Sequence, residues 1–162
     1  MSIQATNTAV RASTVVDAPI DQAFSVFTDD IGSWWSPHHH ILEGELAEMV
    51  FEPRQGGCIY DRATDGSECR WARILAYEPP ERVVFSWDIS PQWRLEPDPA
   101  KASEVEVRFI PEAPDRTRVE LEHRNLERHG EGWEGVRAGV GGDQGWPFYL
   151  QRFAALMRGE QI

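Results

Sequence analysis

Histidine has the widest chemical reach of any side chain in this sequence, and three of its five copies stand together at His38, His39 and His40, directly after Trp34 and Trp35. Neutral imidazole is the commonest protein ligand for transition metals. Consecutive residues of an extended segment point to opposite faces, so at most His38 and His40 could share an ion, and the spacing of a helical histidine pair is missing. Cys58 and Cys69, the only thiols, lack a CxxC spacing, and nothing in the sequence brings them to the histidines. No metal site and no cofactor are expected; the run reads as a polar loop at the mouth of a pocket. His123 ends the row Val119, Leu121, His123, where an imidazole could hydrogen-bond a ligand or exchange a proton in dry surroundings. A histidine satisfied by its neighbours is the plainer reading. Glu122 falls on the opposite face of that strand, which removes a simple His–Glu pair, and no motif nominates a nucleophile. Catalysis is left unassigned, with His123 its one candidate.

Aromatic side chains are the second resource. Tyr60, Trp71, Phe85, Trp87 and Trp146 could line a cavity for an aromatic or lipid-like ligand, because rigid rings offer large contact area for little lost rotamer freedom. Tyr149 and Phe153 share the helical face of Trp146 and extend the set. Each ring taken singly reads equally well as core. Tyr60, Arg73 and His123 are the polar groups available to orient a ligand.

These residues need elements to position them. Val10 to Val16 alternates as a half-buried strand. Asp17-Ala18-Pro19 signals a helix start, and Ile20, Ala23, Phe24 and Phe27 form one apolar stripe. Thr28-Asp29-Asp30 breaks it and opens a second short helix carrying Ile31, Trp34 and Trp35, which ends by Pro37. From Leu46 to His123 the period becomes 2, most clearly at Val83–Ile89, Glu104–Phe109 and Arg118–His123, which predicts antiparallel strands with one dry and one wet face. Parity places Phe85 and Trp87 inward; the face of Trp71, among Arg70, Ala72 and Arg73, is ambiguous. Trp146, Tyr149, Leu150, Phe153 and Met157 then share one face of the longest helix. Before it, the glycines from Gly130 to Gly145 read as a mobile or tightly turned connection that joins sheet to helix or gates a cavity. They contain no phosphate-cradling motif, so nucleotide binding is unsupported.

Composition narrows the classes further. With 162 residues, 41% hydrophobic and 27% charged, one globular α+β domain over 8–160 accounts for the chain. Net charge −11 repels nucleic acid over most of the surface. No apolar run is long enough for a membrane helix, and Met1 to Val10 lacks the regions of a secretory signal, so a cytoplasmic protein, monomeric or homodimeric, is expected.

The segments Ala18-Pro19, Phe27-Thr28, Trp34-Trp35, Gly56-Gly57, Asp65-Gly66, Glu78-Pro79-Pro80, Val84-Phe85-Ser86-Trp87, Thr117 to His123 and Gly145-Trp146-Pro147 together resemble the activator of heat-shock-protein-90 ATPase homologue family. That family belongs to the SRPBCC, or START-like, superfamily with the birch-pollen-allergen helix-grip fold. The resemblance runs from about Val10 to Met157. It implies a curved antiparallel sheet of six or seven strands around the C-terminal helix, two short helices after the first strand, and an apolar cavity between sheet and helix. A small hydrophobic ligand is the partner this implies. Regulation of heat-shock protein 90 ATPase in a stress response is an alternative, and a cyclase- or hydrolase-like activity in the same pocket a further one.

Overall fold

The computed structural model describes residues 8–36 and 39–160; the polar leader before Thr8 lies outside the described residues, as do Pro37 and, of the histidine run, His38. Strand β1 (Val10–Val16) leads into helices α1 (Ile20–Asp29) and α2 (Ile31–Trp34). Six strands come next: β2 (Leu46–Phe51), β3 (Cys58–Ala63), β4 (Glu68–Glu78), β5 (Arg82–Trp87), β6 (Ser103–Ala113) and β7 (Arg116–Arg124). Helices α3 (Trp133–Gly141) and α4 (Trp146–Met157) follow the last strand. The seven strands form one antiparallel sheet in the order β1-β7-β6-β5-β4-β3-β2. This is the helix-grip architecture, with the strand count at the upper of the two expected values. Among the described residues no helix is long and apolar enough to cross a membrane.

Alternation explains how the sheet meets the helices. Val105, Val107 and Phe109 of β6 and Val119, Leu121 and His123 of β7 are all buried, so one face is dry. Helix α1 seats Phe24 and Phe27 edge-on against Phe109, at 5.1 and 5.5 Å between ring centroids. Helix α4 closes the concave side: Phe153 meets Phe27 at 5.2 Å, and Trp146 meets Phe85 of β5 at 6.4 Å. On the opposite face the carboxylate of Glu106 is gripped by Arg82, Arg124 and Arg108 at 2.5, 2.5 and 3.0 Å.

The glycine-rich connection is folded. Helix α3 occupies nine of its residues and buries Val136 and Val140. Gly145 lets α3 and α4 meet at close range, since a Cβ there would collide with the carbonyl oxygen of Val140.

One irregularity decides which side chains face inward. In the β3–β4 pairing Ile59 sits opposite Ala72 but Tyr60 sits opposite Arg70, which leaves Trp71 as the extra residue of a bulge. A bulge reverses the parity of the strand beyond it. Trp71 and Ala72 therefore both join the core, and Arg73 is turned to the other face, where its guanidinium holds Asp88 at 2.9 and 3.0 Å.

Candidate functional site

A cavity of about 370 Å³ opens between the sheet, the α4 N-terminus and the segment after α2. Its wall is built by four tryptophans from four separate segments. Trp35 contacts Trp71 (5.2 Å between centroids), Trp71 contacts Trp87 (5.6 Å), Trp87 contacts Trp146 (5.8 Å), and Trp146 returns to Trp35 (5.9 Å), so the rings close a circuit. Three of the four contacts are edge-to-face or nearly so, as the ring quadrupoles prefer. Tyr149 stacks on Trp35 at 4.4 Å and 21°, and burial pushes its phenol well above the ordinary tyrosine range. Trp93, Ile89, Val140 and Ile41 complete the apolar rim.

Two polar side chains of that wall form a pair. Ile59, Asp61 and Ala63 alternate inward along β3, so Asp61 is carried into the dry face, 1% exposed. His40 offers Nδ1 to Asp61 Oδ2 at 2.7 Å. Opposite an ionised carboxylate, which only accepts, Nδ1 is the donor, and in a neutral ring Nε2 then carries the lone pair. Among the described residues that nitrogen has no hydrogen-bond partner, on a side chain that lines the cavity. Asp61 Oδ1 is buried without a partner among them, which makes the carboxylate dependent on His40. The arrangement is that of a base oriented by an acid. Cys69 lies opposite Asp61 in the register, and burial together with that carboxylate pushes its thiol up to about 11. His39 contacts the Tyr149 hydroxyl, and Trp35 Nε1 donates to the His39 carbonyl at 3.0 Å, which ties the segment after α2 to α4. Among the described residues no group of three or more His, Cys, Asp and Glu side chains could hold a metal ion.

The remaining histidines lie behind the wall. Trp146 Nε1 donates to His123 Nδ1 at 3.0 Å, and Ser103 Oγ stands 2.8 Å from His123 Nε2 and 2.7 Å from His129 Nε2. Because His123 Nδ1 accepts, its proton sits on Nε2 and points at Ser103, whose hydroxyl proton is then committed to His129. Burial first, then the neighbouring His129, push His123 down to about 3. Burial also lowers His129, outweighing Glu96 and Asp88, which pull the other way. His123, Ser103 and His129 hold the indole of Trp146 in place and do not line the cavity.

Of the nine site residues expected from sequence, Trp71, Trp87, Trp146 and Tyr149 stand on the cavity wall. Phe85, Phe153 and His123 are buried behind it. Tyr60 and Arg73 do not reach it: Tyr60 faces the other side of β3, with the guanidinium groups of Arg70 and Arg62 over its ring, and Arg73 is turned away by the bulge. Trp35 and Asp61 line the cavity without being among the residues expected from sequence, and His40, expected only as part of a polar loop at a pocket mouth, lines it too. Asp61 carried a signal, since it is the one acid at an inward position of the alternating stretch Cys58 to Ala63.

Comparison with known proteins places this architecture among relatives. The family profile described as Activator of Hsp90 ATPase homolog 1-like protein matches residues 17–158. The solved structure of an anthrahydroquino-γ-pyrone synthase, Txn09, complexed with SUM, is 42% identical over 91% of this chain and 96% of that one, with a TM-score of 0.65. CalC from Micromonospora echinospora, a self-sacrificing resistance protein, is 27% identical over 94% of this chain and 96% of its own, with a TM-score of 0.67. CalU16 from the same organism is 26% identical over 95% of this chain and 76% of its own, with a TM-score of 0.56. No curated protein matches.

Proposed function

From the premise that this chain belongs to the Activator of Hsp90 ATPase homolog 1-like protein family, we propose that it binds a planar, polycyclic aromatic small molecule in the tryptophan-walled cavity and closes an oxygen ring on it, as a pyrone-forming cyclase. The observation that carries this reading is the His40–Asp61 pair at the edge of an otherwise aromatic wall. Likeness to a γ-pyrone synthase over nearly the full length of both chains supports it.

The chemistry asks little of a protein. A phenolic oxygen attacks the far carbonyl of an adjoining diketone chain, a C–O bond forms, and the resulting hydroxyl leaves as water while a proton departs from the carbon between the carbonyls. His40 Nε2 takes the phenolic proton and passes it to the former carbonyl oxygen to give the hydroxyl, then takes the proton from the carbon between the carbonyls and delivers it to that hydroxyl as it leaves as water, so the imidazole ends each cycle as it began. Asp61 holds the tautomer that makes Nε2 the base and faces the imidazolium when it forms. The four indoles exclude water and hold the fused rings flat, which converts an encounter into an oriented intramolecular step.

The test is a titration with alizarin, a hydroxyanthraquinone, and a turnover assay with ortho-hydroxydibenzoylmethane, which closes to a flavone with loss of water. Saturable alizarin binding and ring closure faster than in buffer are expected, with His40→Ala lowering turnover by about a hundredfold while leaving binding within about threefold. No binding would overturn the reading. Binding without rate enhancement would favour a second reading, sequestration of an aromatic metabolite, to which the likeness to the resistance protein CalC points. A docking role on heat-shock protein 90 draws on the family description alone, and measured stimulation of that ATPase would be its support.

A further inference from the structure

We propose that Trp93 is the clamp of this cavity: its indole covers the outer face of a bound planar ring system and sets the preference for fused aromatics over single rings. The proposal rests on the ligand-binding reading above and deepens it.

Four observations converge on this residue. Trp93 is 46% exposed, yet it belongs to the cavity rim. The tryptophans of the wall each pack on two others of the circuit, whereas Trp93 packs on no other ring among the described residues. Its backbone is left-handed, with φ 61°, a conformation that disfavours a bulky side chain and persists only where the surroundings impose it. Those surroundings are a compact frame. Ser90 N–H donates to the Arg94 carbonyl at 2.7 Å, Trp93 N–H donates to the Ser90 carbonyl at 2.8 Å, and an isolated bridge between Ile89 and Leu95 pins the base. Ser90 Oγ also accepts from the backbone of Gln92 and Arg94 at 3.3 Å.

The fourth observation lies across the mouth, on α3. A Cβ at Gly139 would stand 3.1 Å from Cζ2 and Cη2 of Trp93, tighter than ordinary packing, so the indole edge reaches the helix only because that position has no side chain. The result is a large ring held at the rim by its own loop, with unused aromatic surface. A flat ligand laid against the tryptophan wall leaves its other face to water. Covering that face removes apolar area from water and adds one more aromatic contact, and the gain grows with the number of fused rings. A single-ring ligand has the least to gain.

Equilibrium dialysis of wild type, Trp93→Ala, Trp93→Phe and Gly139→Ala against alizarin and against phenol tests this. Trp93→Ala is expected to weaken alizarin about tenfold, Trp93→Phe by no more than about threefold, and neither to change phenol. Gly139→Ala keeps the indole but displaces it, and is expected to weaken alizarin as Trp93→Ala does. Unchanged melting curves show that the variants are folded. Equal alizarin affinity in wild type and Trp93→Ala overturns the clamp and leaves the ligand site standing; uptake of alizarin by neither overturns both.

Discussion

Replacing His123 with glutamine separates the structural chain behind the wall from the chemistry in front of it. The folded protein keeps His123 neutral down to about pH 3, because its site is fully buried and lies beside His129. In the unfolded chain the same imidazole takes up a proton near its ordinary pKa of about 6.5. Between those two values the unfolded state binds the extra proton, so unfolding becomes easier as pH falls, and this contribution to stability is complete only above about pH 6.5. Each pH unit well inside that window is worth about 1.4 kcal/mol, so acidification from about pH 8 to pH 5 removes about 2 kcal/mol. That is a substantial part of the roughly 5–15 kcal/mol typical of a folded domain. Glutamine can still accept from Trp146 Nε1 through its carbonyl and donate to Ser103 through its amide, but it does not titrate. Urea unfolding of both proteins from about pH 8 to pH 5 is the assay. The variant is expected to start lower and to lose about 2 kcal/mol less across the range, so that the two curves approach each other on acidification. Carboxylates such as Glu106 titrate in both proteins and largely cancel in the difference. Parallel curves would refute the assignment of a buried neutral imidazole to His123.

Two further outcomes rest on the packing. Gly145→Ala drives a Cβ into the Val140 carbonyl oxygen and towards the Gly139 backbone, where nothing flexible can give way; a loss of about 3 kcal/mol or more, read as a melting point lower by roughly 6–12 °C, is expected, and an unchanged melting point would contradict the contact. With its thiol pushed up to about 11, Cys69 is almost entirely protonated at about pH 8 and should resist a thiol-specific chromogenic reagent until the chain unfolds, while the half-buried Cys58 reacts first; two thiols reacting at one rate in the native protein would count against that burial.

Much of the architecture was legible in the residues because side-chain periodicity is local. Val83–Trp87, Glu104–Phe109 and Arg118–His123 each carry their own wet and dry faces, and the stripe Trp146, Tyr149, Leu150, Phe153 announces the helix that must cover them. The family resemblance added the cavity and the grip. Tyr60 and Arg73 show where local reading stops: with Ile59 and Asp61 inward, Tyr60 has to face outward, and the bulge at Trp71 reverses the parity that would have carried Arg73 inside. A bulge depends on how two strands pair, and nothing in one strand alone declares it.

The amino-acid sequence by itself therefore determined the order of elements, the face of most strands and the helix that closes the sheet, since each is set by spacing within a dozen residues. Only the tertiary structure decided the site. His40 and Asp61 meet across 21 positions of chain, and the four wall tryptophans come from four segments that share no pattern. His123, conspicuous in the sequence, proved to serve Trp146 from behind. A cavity is the volume that packing leaves unfilled, and a buried polar group takes its role from the partner that packing presents to it; both depend on distances between segments, which spacing along the chain does not encode.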